Sequence, residues 1–383
     1  MIHKNVVYLG LTSFFTDMAT AMINPILPIF VVVTLHEGMD KLGLVVAIAT
    51  FVSYALRLLS GYISDRFGIV KPLVVAGYAL SALSKPLIGF AHGYKSVAAL
   101  RALERMGKAL RSAPKDALLA HFGQKRAGRT FGFHKTLDIA GELTGSLLVF
   151  GLLWLWGSGE TQIRSIFFWT LLPGLIALFI VIFLVQDVPK RPKIQKWQLR
   201  AADKRVIKEL GFYFLFLLFF FGEAFFTMRA KDVGIPIALI PLLFVLSTLT
   251  QTLTSYFSGI LIDRFGALRI LGLSYLFGLA ALLALWPRQS LFVWIAYALL
   301  GLFMVFSLNA ARAFIATAAK HKASVYGIFY AAVALCGAMG AYLVGWLWER
   351  FGVETALWYS TIGAGSVASI YTIRIYFGLF RSR

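Results

Sequence analysis

The sequence predicts an all-α membrane protein of about 12 transmembrane helices in two pseudo-symmetric six-helix bundles, and three observations carry that prediction. Apolar residues form 59% of the chain and charged residues 14%, with a mean hydropathy of +0.79. Soluble domains average about 45–50% and about 25%. Apolar stretches of about 20 residues, each long enough to cross a hydrocarbon core of about 30 Å, recur along the whole length. The loop pattern Gly-x-x-x-Asp-Arg-Phe-Gly occurs at Gly61–Gly68 and again at Gly259–Gly266, an offset of 198 in 383 residues.

In chain order the predicted helices cover residues 6–34, 41–64, 70–92, 96–118, 130–156, 165–186, 209–230, 235–262, 268–286, 290–316, 323–348 and 355–380. The first is too long for a secretory h-region and no small-residue cleavage site follows it, so it reads as a retained span. Pro25 and Pro28 free backbone carbonyls within it and bend it near its outer end. The fourth and fifth spans have the weakest apolar cores. The long polar connection Pro189–Lys208, with basic residues from Lys190 to Arg205 around Asp203 and Trp197, suits the anionic face of a membrane or a plain linker. It divides the chain into an N-terminal bundle (1–188), a basic linker (189–208) and a C-terminal bundle (209–383).

An even number of spans puts both termini on one side, and Lys and Arg choose the side. With the N-terminus cytoplasmic, 26 of the 37 basic residues fall in loops and helix ends on that side, against 7 on the other. The expected location is therefore the cytoplasmic membrane, multi-pass, with both termini cytoplasmic. The net charge of +20 is spread over short loops rather than one folded face, which argues against nucleic acid as a partner. Cys336 alone excludes an intrachain disulfide and a cysteine-based metal site. The six histidines are scattered and no phosphate loop or nucleophile motif appears, so the sequence implies no metal, no cofactor and no enzyme. The expected partners are a small-molecule solute, protons and membrane lipid, with the chain acting as a monomer.

Both loop copies close the second helix of a half. Gly61 lets a neighbouring helix approach, Gly68 supplies a tight turn, and Asp65 is a fixed negative charge able to meet a helix N-terminus or an arginine. A weaker echo links Arg126-Ala-Gly-Arg-Thr-Phe-Gly132 to Lys322-Ala-Ser-Val-Tyr-Gly327. The duplicated loop resembles the signature of the major facilitator superfamily over essentially the whole chain. Arg101-Ala-Leu-Glu-Arg-Met-Gly107 is similar to that family's fourth-helix motif, with Glu104 and Arg105 substituted. Phe14-Phe-Thr-Asp17 through Asn24-Pro-Ile-Leu-Pro28, and Arg111-Ser-Ala-Pro-Lys-Asp-Ala117, resemble a bacterial subgroup. The resemblance implies a secondary transporter working by alternating access. It also implies a cytoplasmic latch formed by Asp65 and Arg66, and less firmly by Asp263 and Arg264. Only one late basic residue follows each loop, Lys71 and Arg269, where the family has several. Gly141-x-x-x-Gly145 before Ser146 resembles an antiporter element that has lost its proline.

Ionisable residues inside spans are costly and usually face a cavity or a partner. Asp17 admits two readings, a proton or cation site and a hydrogen-bonded packing residue. Arg101 and Glu104 form an i,i+3 pair, and Asp138 and Glu142 share one face of the fifth helix. We expect the first pair to meet the second, and two neighbouring carboxylates suit proton binding and release. Glu223 is a further proton candidate. Asn24, Phe219, Phe225, Phe226 and Asn309 are candidates for a substrate cavity. The resulting expectation is proton-coupled export of a drug, metabolite or siderophore, with import or a channel as the alternatives.

Overall fold

The structure, a computed structural model, describes residues 2–123, 127–188 and 199–381, without the side chains at 58, 65, 127, 128, 323 and 376–381. All regular structure in them is helical. The helices are α1 (Lys4–Thr34), α2 (Met39–Phe67), α3 (Lys71–Phe90), α4 (Tyr94–Phe122), α5 (Ala127–Trp156), α6 (Glu160–Leu184), α7 (Ala201–Asp232), α8 (Ile237–Phe265), α9 (Ala267–Ala284) and α10 (Ser290–Ala318). The last helical run, Lys322–Arg381, is broken at Gly352, giving α11 (322–351) and α12 (353–381). Each predicted span thus falls on a helix. Ten helical stretches among the described residues are apolar and long enough to cross a membrane. The 52-residue stretch Ser324–Ile375 covers two predicted spans, while α4 is helical but too charged to qualify.

Three helices are interrupted where their sequences favour it, or where a glycine allows it. In α1 the regular helix stops at Ile23. Asn24 donates its N–H to the Thr20 carbonyl at 3.1 Å, Pro25 has no N–H to continue, and a π-helical turn follows at Phe30–Thr34. The bend expected from Pro25 and Pro28 is therefore present. In α3 a 3-10 turn, Ile88–Phe90, follows Pro86. In α7 the helix ends at Phe219, the backbone is extended at Phe220 (ψ 137°), and a second helix starts at Glu223 after Gly222. Only Gly222 marks that break in the sequence.

The chain forms two compact units. One comprises Met1–Glu37, Ile48–Lys196 and Pro236–Val245, and the other Gly38–Ala47, Trp197–Ile235 and Leu246–Arg383. In the first, α1 packs on α5 and α3 on α4. In the second, α7 packs on the α11–α12 run and α9 on α10. The pairing order is the same in both, as a duplicated chain requires. Glycines set the closest approaches: a Cβ at Gly141 would land on the Phe14 carbonyl, one at Gly145 on the Met18 carbonyl, and one at Gly340 on the Leu217 and Leu218 carbonyls. Apolar side chains such as Leu155, Phe183, Leu253 and Tyr256 point outward, and charges cluster inside. This is the reverse of a soluble core and suits lipid as the solvent.

Gly68 (φ 66°) and Gly266 (φ 86°), which end the duplicated loop, both turn the chain with positive φ. A third loop of the same form, Gly345-Trp-Leu-Trp-Glu-Arg-Phe-Gly352, closes α11, and Gly352 again has positive φ (84°). Its acidic residue, Glu349, accepts the Met39 N–H at 2.7 Å and so caps the N-terminus of α2. There it satisfies an orphan donor and meets the positive end of the helix dipole. Gly43 lies against Gly345 and the Ala341 carbonyl, too close for a side chain on either glycine.

Replacing Gly145 with leucine should cost about 1–3 kcal/mol by overpacking and lower the unfolding temperature of the purified protein. Gly151, on the same helix with open space at its Cβ position, should accept alanine without loss.

Candidate functional site

The first unit contains a cluster of charged and polar side chains contributed by α1, α3, α4 and α5. Glu104 is its most buried acid, with no exposed surface. Its Oε2 accepts from Arg101 Nη1 at 3.0 Å and from Arg105 Nε at 3.2 Å. Arg101 Nη2 also donates to Asn24 Oδ1 at 2.6 Å, and Arg105 Nη2 to the same oxygen at 3.5 Å. Asn24 is available because the helix of α1 stops there, so the proline-induced break positions a polar side chain on two arginines.

One turn deeper, Lys85 of α3 is wholly buried and donates to the Thr16 carbonyl at 3.1 Å. Arg111 donates to the Gly77 carbonyl at 3.4 Å, and its guanidinium carbon lies 4.6 Å from the Tyr78 ring centroid, a cation–π arrangement. Gly77 and Gly107 allow α3 and α4 to touch backbone to backbone at this level.

A hydrogen-bonded chain links the far part of α4 to α5. Lys115 Nζ donates to Ser13 Oγ at 3.2 Å. Ser13 Oγ is 2.9 Å from His134 Nε2 and 3.4 Å from Tyr78 Oη. His134 Nδ1 is 3.4 Å from Asp138 Oδ1. With Lys115 donating into Ser13, the single serine hydrogen satisfies His134 Nε2 in the neutral ring. The ring proton is then placed on Nδ1, facing Asp138 across a gap too long and poorly aligned for a hydrogen bond. Glu142 follows one turn along α5, and Asp17 of α1 acts electrostatically on both carboxylates. At 1.5 Å per residue, Asp17 lies about 20 Å from the start of α1, and Asp138 and Glu142 about 17 Å and about 23 Å from the start of α5. All three acids are therefore near the middle of their spans.

This geometry corrects the expected pairing. Arg101 and Glu104 do not meet Asp138 and Glu142. They are closed on each other, on Arg105 and on Asn24, while the charges acting on Asp138 are Lys115, Asp17, Lys135 and Lys108. His134, read from sequence as one of six scattered histidines, belongs to the cluster. So do Lys85, Lys108 and Lys115. The signal available for Lys108 and Lys115 was the spacing 101, 105, 108, 115, one stripe of α4.

The remaining predicted residues are placed as follows. Asp65 has a helical backbone, and its side chain lies outside the described residues. Arg66 is exposed and donates to Tyr62 Oη at 2.6 Å, and Asp263 and Arg264 are exposed. Half of the basic linker, residues 189–198, lies outside the described residues, and 201–208 already belong to α7. Glu223 is half-buried at the first residue of the second half of α7. Asn309 donates to Ser258 Oγ at 2.8 Å, tying α10 to the residue that precedes the second loop copy. Phe225 and Phe226 are wholly buried against Phe221, Trp348 and Tyr297. Both are packed within an aromatic cluster. Phe219 stacks near Tyr359 and occupies the space that Gly363 leaves open, a packing role as well.

The family model described as Major Facilitator Superfamily matches residues 9–230 and 212–379. The chain belongs to the major facilitator superfamily. An uncharacterized MFS-type transporter of Methanocaldococcus jannaschii is 30% identical over 380 residues, covering 94% of this chain and 92% of the relative. A multidrug resistance protein of Aeromonas hydrophila, MdtH, is 26% identical over 142 residues, 37% of this chain and 36% of that one. The crystal structure of the nucleoside transporter NupG superposes with a TM-score of 0.75 at 13% identity, over 97% of this chain and 99% of that one, which shows the shared fold. The protein is thus a membrane-embedded member of a transporter family rather than an enzyme.

Removing one partner of a buried ion pair strands the other, at a cost of about 3–5 kcal/mol. Glu104→Gln, which leaves both Arg101 and Arg105 without their carboxylate, should therefore destabilise the protein strongly in thermal unfolding. The double variant Arg101→Gln/Glu104→Gln should recover part of that loss, because one of the two stranded guanidiniums is gone.

Proposed function

We propose that the protein is a proton-coupled secondary transporter that moves a small organic solute across the cytoplasmic membrane by alternating access. The hydrogen-bonded chain Lys115–Ser13–His134, with Asp138 3.4 Å beyond the ring and Glu142 one turn along α5, carries this reading. It supplies donors and acceptors in sequence, ending on carboxylates near mid-span, the arrangement expected of a proton relay. Charges placed there cost about 2.5–3.5 kcal/mol each on insertion scales, a penalty that packing alone would not require. The absence of any nucleotide-binding loop in the sequence favours an ion gradient as the energy source. The exposed loop residues Arg66, Asp263 and Arg264 keep the latch role that the family resemblance implies.

The 142-residue similarity to a multidrug resistance protein favours export, with protons moving inward as the solute leaves. The alternative, proton-coupled uptake, would carry solute and proton the same way.

Proteoliposomes loaded with pyranine, a pH-reporting dye, distinguish these outcomes when challenged with a panel of organic acids, nucleosides, peptides and drug-like cations. Antiport makes the lumen more alkaline on solute entry, and symport makes it more acidic. Asp138→Asn should reduce the signal at least tenfold. A solute that enters with no change in lumenal pH would end the proton-coupled reading.

A further inference from the structure

The charge balance of the cluster is incomplete. Seven cations of the cluster, Lys85, Arg101, Arg105, Lys108, Arg111, Lys115 and Lys135, stand against five carboxylates, Asp17, Glu104, Asp116, Asp138 and Glu142. Most of the cations have direct acceptors. Glu104 and Asn24 hold Arg101, backbone carbonyls hold Lys85 and Arg111, and Ser13 holds Lys115. Arg105 must share Glu104 with Arg101, and its side chain retains 18% exposure. The Lys108 ammonium makes no hydrogen bond or ion pair with the described residues, although the side chain is half-buried in the same cluster.

Arg105 and Lys108 are i,i+3 neighbours on α4, so their heads lie on one face of the helix. The charges around Lys108 are Asp17, Arg105, Arg111 and Glu104, and Glu104 is already held by two arginines. A half-buried ammonium there has lost part of its water without gaining a direct counter-ion. A planar guanidinium with donors to spare beside a compact ammonium is a donor set for an oxyanion: the fork takes two oxygens and the ammonium adds a point charge. The same pair repels a cationic solute and offers a neutral one little.

We propose that Arg105 and Lys108 form the binding site for an anionic group, a carboxylate or a phosphate, on the transported solute. The inference rests on the reading of the first unit as a transport site, and it adds the chemical class of the solute. Asn24, bound to both Arg101 and Arg105, serves as a positioning residue that holds the fork of Arg105 toward Lys108.

Binding to purified full-length protein tests this without knowledge of the natural solute. The probes are citrate, glycerol 3-phosphate and benzoate, compared with glycerol, benzyl alcohol and choline, all at one ionic strength so that screening is constant. A ligand that binds only the folded state raises the unfolding temperature in a concentration-dependent way. At least one anion should do so in the wild type, and the neutral and cationic probes should not. Citrate or benzoate acting alone would assign a carboxylate, and glycerol 3-phosphate acting alone a phosphate. Lys108→Gln and Arg105→Gln should each weaken the response at least tenfold, and Lys108→Arg should keep it. Silence toward every anion, an equal response to the neutral or cationic probes, or an unchanged response in either charge-removing variant would overturn the proposal. Asp138→Asn separates the two readings. If it binds the anion normally but moves no protons, both stand. If wild-type vesicles show no proton movement while anion binding depends on Lys108, the proton reading fails alone.

Discussion

A charge within a hydrocarbon span has little water to solvate it, so a buried ionised group is stable there only when another part of the protein, or a bound solute, meets it. That constraint explains most of what surrounds Glu104. Two arginines from its own helix meet one of its oxygens, and Asn24 meets the arginines from the end of a helix that proline has cut short. Without the break, the backbone at Asn24 would continue as regular helix. The interruption in α1 and the pairing in α4 are therefore parts of one arrangement.

The same solvent accounts for the packing. Lipid gives no hydrophobic drive for helices to associate, so the helices meet where small residues let backbones touch. Gly141 and Gly145 bring α5 onto α1 at the level of Phe14 and Met18, immediately beside Asp17. That approach brings His134 and Asp138 within reach of Ser13. In the second unit Gly340 does the same for α11 on α7, but the space there is filled by rings such as Phe216, Phe225 and Trp348. One duplicated scaffold therefore carries a charged interior in one unit and an aromatic one in the other, which is consistent with the acids of the sequence lying mostly in the N-terminal half.

The loop signature is used in more than one way. Its final glycine turns the chain at three places with the same sign of φ, a purely conformational task. The acid before it is free to differ in role. In the third loop it caps the start of α2, whereas Asp263 in the second is exposed. A short pattern thus specifies the turn more strongly than it specifies the interaction.

The spans, the internal repeat, the helix-breaking prolines and the turning glycines were all legible in the sequence, because length, apolarity and backbone stereochemistry act locally. The pairing of Arg101 with Glu104 was also legible, since an i,i+3 spacing fixes it on one helix. The surroundings of Asp138 were legible only in part. His134 lies one turn earlier on its own helix, but the other elements that face it are α1 and α4, and helix rotation decides whether Lys108 and Lys115 point inward with Asp138 or outward with the helix end. Rotation also decided that Phe225 and Phe226 are core, and a single glycine gave little warning that α7 breaks before Glu223. The sequence by itself determined that this chain crosses a membrane as a duplicated helical bundle with ionisable groups in its first half. Only the tertiary structure decided which of them meet, because contact between helices depends on rotation and close approach that no local pattern encodes.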